Sequence, residues 1–76
     1  MRLTIQNTTK MVVINGVPAR VWEGVDEAGT EVLCFITRLA VKEGQDPAVY
    51  REFEMSLKEC RAPSDAALVF PNRMVL

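Results

Sequence analysis

Histidine is absent from this chain of 76 residues. Without an imidazole there is no His general base, no Ser–His or Cys–His nucleophile pair, and no imidazole-ligated metal. Cysteine is scarce: Cys34 and Cys60 stand far apart and are too few for a disulfide scaffold or a zinc cage. They read as two reduced core thiols, with one long-range bridge as the alternative. Neither sign of charge is in excess, since 9 Lys and Arg against 10 Asp and Glu leave a net −1. That balance disfavours duplex DNA or an anionic lipid surface as partner. No apolar run approaches the roughly 18 residues of a membrane span. The opening Met1–Lys10 stretch is polar and Thr-rich, without the apolar core of a signal peptide. These absences lead to the expectation of a cytoplasmic protein with no membrane partner.

Chemistry-bearing motifs are missing as well. There is no Gly-rich phosphate loop, no Walker-type motif and no Asp-rich loop with cation-ligand spacing. Cys34 lies in the most apolar stretch, where burial makes a thiol inert. Cys60 lies near the end of a predicted helix, the wrong end of the dipole for a thiolate. The expectation is a protein that is not an enzyme, with no catalytic residue, no cofactor and no metal.

What is present is a composition of 49% apolar and 25% charged residues, the balance of one folded domain spanning 1–76. A chain this short buries only about 60% of the surface its unfolded form exposes. Association with itself or with something larger would supply the missing burial.

Leu3-Thr4-Ile5-Gln6 alternates as a half-buried strand does, and Asn7-Thr8-Thr9-Lys10 carries turn chemistry. Met11-Val12-Val13-Ile14 is β-branched and runs into Asn15-Gly16, the strongest local hairpin signal. The next strand is predicted from Val17 to Val25. Pro18 in it cannot donate toward a strand on the flank away from Val13, so pairing should weaken there. Asp26-Glu27-Ala28-Gly29-Thr30 fits a three-residue hairpin closed by a left-handed Gly. A near-continuous apolar run from Glu31 to Val41 suits a central strand.

Asp46-Pro47 has the signature of a helix start. Val49, Tyr50, Phe53, Leu57 and Cys60 fall on one apolar arc of a helix of about fourteen residues. Pro63 ends it, and Ser64-Asp65 suits the cap of a further turn. One or both of Leu68-Val69-Phe70 and Met74-Val75-Leu76 would form a last, edge strand. The predicted class is α+β: an antiparallel β-meander of four to five strands with one amphipathic helix packed on one face, in the order β-β-β-β-α-β. A small SH3-like barrel with an added helix is the alternative. With Phe53 at the centre of the arc, Phe53→Ala is expected to cost about 3–5 kcal/mol.

With Val25 near Thr30, Trp22 would face Leu33 and Arg20 would face Phe35. One sheet side would then carry Val17, Ala19, Val21, Val32, Cys34 and Ile36. The other would carry Arg20, Trp22, Leu33, Phe35 and Leu39. A one-residue slip exchanges such faces. One helix covers one side, leaving Arg20, Trp22, Leu33, Phe35 and Arg38 as candidate partner-binding residues, Trp and Arg being frequent interface anchors. The competing reading has the sheet curl and these residues form the core. Glu23, Asp26, Glu27 and Glu31 form either an acidic finger or a solvated turn. Met55 stands alone on the polar side of the helix.

Asn15-Gly16-Val17-Pro18-Ala19-Arg20-Val21-Trp22-Glu23-Gly24, followed by Cys34-Phe35-Ile36-Thr37-Arg38, resembles small accessory proteins carried by phages and prophages. The resemblance spans about half the chain and contains no catalytic motif. It implies a setting in which such proteins bind and block a host protein. The functional expectation is a non-enzymatic protein-binding module, a homodimer, acting on a host factor. The alternatives are a single-stranded nucleic-acid binder using Arg20, Trp22 and Arg38, or a structural or assembly protein of a phage.

Overall fold

The computed structural model describes residues 1–64. Strands β1 (Leu3–Ile14), β2 (Val17–Asp26) and β3 (Glu31–Ile36) are followed by helix α1 (Pro47–Lys58). The strands form one antiparallel sheet in the order β1-β2-β3. The chain is therefore α+β, with three strands among the described residues. The expected last strand lies outside them, as does Asp65.

The Asn15-Gly16 hairpin forms as the dipeptide predicts. Both residues have positive φ, 51° and 79°, and Ile14 pairs with Val17 and Val13 with Pro18. The expected turn at Asn7–Lys10 is instead a bulge within one continuous strand. Asn7 pairs with Trp22 and Met11 with Arg20, so three residues of β1 stand opposite Val21 alone. Both halves of β1 find their partner on the same ten-residue β2, so the chain has no reason to reverse between them. The polar side chains that suggested a turn satisfy the bulge. The Thr8 hydroxyl donates to the Val21 carbonyl (2.6 Å), and Arg20 Nη1 donates to the Thr8 carbonyl (2.8 Å).

The second hairpin closes on Asp26, whose Oδ1 accepts from the N–H groups of Ala28 and Thr30 (2.9 and 2.8 Å). Its register differs from the expected one by a single residue: Val25 pairs with Glu31, Trp22 with Cys34, Val21 with Phe35 and Arg20 with Ile36. Because side chains alternate between faces, this slip moves every β3 residue to the other side relative to β2. Arg20 and Trp22 share a face with Val32, Cys34 and Ile36. Ala19, Val21 and Glu23 share the opposite face with Leu33 and Phe35.

β3 also stops at Ile36, short of the Val41 expected. Pairing carried two residues further would set Arg38 against Pro18. Pro18 faces β1 at a site that needs no donor, so its missing N–H falls on the β3 side. Residues 37–46 leave the ladder instead. Tyr50 pins them from the helix, its hydroxyl accepting from the Gln45 N–H (3.0 Å) and donating to the Lys42 carbonyl (3.1 Å).

Helix α1 begins as predicted. Asp46 caps it through Oδ1, accepting from the Ala48 N–H (2.8 Å), and Pro47 takes the first helical position. It ends at Lys58, earlier than the apolar arc suggested, because Cys60 and Arg61 leave it to run alongside β1. The Thr9 N–H donates to the Arg61 carbonyl (2.9 Å) in a parallel bridge at the β1 edge. On the Trp22 face, Asn7 Nδ2 donates to the Leu57 carbonyl (3.0 Å) and to Cys60 Sγ (3.2 Å). On the opposite face, Arg61 and Ser64 reach Glu23. Residues 57–64 thus wrap the β1 edge like a strap.

The apolar interior is small. Among the described residues only Ala19 and Val21, each 1% exposed, are buried hydrophobic side chains. No helix residue is buried, and Phe53, the expected centre of the helix–sheet contact, is 37% exposed. The helix is held by hydrogen bonds at its C-terminal turn and by the strap more than by its apolar arc.

Candidate functional site

An open groove of about 480 Å³ lies between the Trp22 face, the segment after β3 and the last turn of α1. β2 supplies Arg20 and Trp22 to it, two residues apart and so on one face. The segment that leaves the ladder at Ile36 supplies Arg38. The helix supplies Leu57 and Lys58. Three of the five sequence-predicted binding residues, Arg20, Trp22 and Arg38, therefore meet at one place. Leu33 and Phe35 do not join them: the register puts them on the opposite face, paired with Glu23 and Val21.

Charge in the groove is one-sided. Among the described residues lining it, Arg20, Arg38 and Lys58 are cationic and none is acidic. Arg20 is half-buried and held by the bulge through its Nη1 contact with the Thr8 carbonyl, which orients the guanidinium without neutralising it. Arg38 and Lys58 are exposed. Trp22, half-buried, forms one wall, and Met11 and Leu39, both exposed, supply apolar ones.

Lys58 was not among the five residues expected on the sheet's binding face. Its sequence position marks it as a basic residue in the last turn of a helix, and nothing local tells that this turn sits over Trp22. That placement comes from the Asn7 contacts across about fifty residues of chain.

Of the hairpin acids expected to form an acidic finger or a solvated turn, Glu23, Asp26 and Glu27 have separate structural roles. Glu23 is only 7% exposed and forms an ion pair with Arg61, whose Nε also donates to Gln6 Oε1 (2.9 Å). The Ser64 hydroxyl and N–H both donate to the Glu23 carboxylate (2.5 and 3.1 Å). The Ser64 hydroxyl holds the Glu23 carboxyl below its ordinary range; burial opposes this, while the Ser64 N–H and the Arg61 charge reinforce it. Asp26 is also lowered, chiefly by the Thr30 N–H in its turn. Glu27 accepts from the Arg2 N–H (2.9 Å).

Cys34 and Cys60 are both half-buried free thiols. Among the described residues, no group of three or more His, Cys, Asp or Glu side chains is gathered as a metal site requires. No described helix is long and apolar enough to cross a membrane. No family model matches the sequence, and no curated protein or solved structure matches it either.

Proposed function

We propose that this chain is a non-enzymatic protein-binding module that works in association, pairing with a second copy and docking a further protein. The observation that carries this reading is uncovered apolar surface. Among the described residues only Ala19 and Val21 are buried hydrophobic side chains, while Met11, Val13, Val17, Val49 and Met55 are all exposed. A chain this small gains a sufficient core when a partner covers such surface. The resemblance to phage and prophage accessory proteins supports a host protein as the further partner.

Sedimentation equilibrium across the micromolar range tests the self-association. The expected result is a mass above that of one chain, with a melting temperature that rises with protein concentration. A single chain at every concentration, melting at one temperature throughout, would remove the pairing with a second copy.

A further inference from the structure

The groove beside Trp22 has a chemistry that narrows what it binds, and the inference drawn from it rests on the protein-binding reading. We infer that the groove is a docking site for an acidic peptide segment carrying an apolar side chain. Charge complementarity argues for the acid. Arg20, Arg38 and Lys58 converge on one concavity with no carboxylate among its described lining residues. Among the described residues, neither the Arg38 nor the Lys58 side chain has a hydrogen-bond or ion-pair partner, in a chain whose net charge is −1. The remaining N–H groups of Arg20 are available to a carboxylate in a geometry already fixed by Thr8, which reduces the ordering cost of binding. The apolar part of the ligand is called for by the walls, where Trp22, Met11, Leu39 and Leu57 would otherwise keep water against apolar surface.

A nucleic-acid strand fits this groove less well. Such ligands need a basic track along the backbone and successive aromatic platforms for the bases. Here one tryptophan is the only aromatic among the described lining residues, and about 480 Å³ holds a few side chains rather than a length of strand.

The test uses the full chain with three fluorescently labelled probes: a short peptide alternating Leu and Glu, the same peptide with Gln for every Glu, and an oligothymidylate. Anisotropy should show the Glu peptide binding about tenfold more tightly than the Gln peptide. The difference should shrink as salt is raised. The double variant Arg38→Ala/Lys58→Ala should lose most of that preference with an unchanged melting temperature. Quenching of the Trp22 emission by the Glu peptide should follow the same curve. Equal binding of the two peptides would overturn the acidic specificity while leaving protein binding in place. Binding undiminished in the double variant would overturn the location. Tighter binding of the oligothymidylate would replace the peptide with nucleic acid. If no probe binds, the inference fails, and sedimentation still decides self-association independently.

Discussion

On the Val21 face, the carboxylate of Glu23 is enclosed by Arg61 and Ser64. On the Trp22 face, the cations Arg38 and Lys58 stand over a groove with no described counter-charge. The two arrangements lie on opposite sides of one three-stranded sheet and are linked by the strap of residues 57–64. A charge that is buried and paired fixes where a segment sits, and its removal leaves partners unsatisfied. A charge that is exposed and unpaired contributes little to folding and is available for something outside the chain. The comparison separates the charges that hold this fold together from those it offers to a ligand.

The largest expected effect strikes both faces together. Gly24 pairs with Ile5 where β1 and β2 come so close that a Cβ would overlap the Thr4 carbonyl oxygen. Backbone cannot move aside as a side chain can, so Gly24→Ala should cost about 3 kcal/mol. Urea unfolding would measure it, and an unchanged midpoint would show that the strands lie further apart than described.

Next comes the paired face. Glu23→Gln should destabilise the chain by about 2 kcal/mol, because Arg61 and Ser64 lose a charged acceptor. The same residue sets a pH dependence. The Glu23 pKa lies lower in the folded chain than the ordinary value of 4.5, so its contribution is complete above that value. It is lost as pH falls through the folded pKa. Unfolding followed from neutral to acidic pH should show a decline that Glu23→Gln flattens. Identical profiles for the two proteins would place the acid sensitivity elsewhere.

Smaller still is Phe53→Ala. The helical pattern alone implied about 3–5 kcal/mol, but a side chain that is 37% exposed in the single chain should cost about 1 kcal/mol. A loss that grows with protein concentration would mean that association covers this residue, and would tie the helix to the interface. Smallest is Arg38→Ala/Lys58→Ala, expected to change stability by less than about 0.5 kcal/mol. A larger loss would mean that the groove cations belong to the structural set after all.

The sequence announced its local features well. Asn15-Gly16, the Asp26–Thr30 turn and the Asp46-Pro47 helix start each depend on backbone preferences of a few adjacent residues, and each is where the sequence placed it. The weakening of pairing at Pro18 was legible for the same reason. The β3 register was not, since Asp26–Thr30 chemistry tolerates either alignment and one residue of slip sends Leu33 and Phe35 away from Trp22. The bulge at Thr8 was hidden because Asn and Thr side chains satisfy a turn and a bulge equally well. Arg20, Trp22 and Arg38 were found as candidates, but Lys58 joined them only through contacts between Asn7 and Leu57. Glu23 was grouped with the hairpin acids by proximity in sequence, while Arg61 and Ser64, which define its role, arrive from the far side of the helix.

The strap also implies an order of events. The strands meet through neighbouring turns, whereas the bonds from Asn7 to Leu57 and from Arg61 to Gln6 close loops of 50 and 55 residues. Short loops close first and long ones last. The meander should therefore assemble before the helix is tied down, and the tie should open before the meander does. Amide exchange would then find the Thr9 N–H releasing its proton sooner than those of the β1–β2 ladder, so that the element completing the groove is also the first to let go.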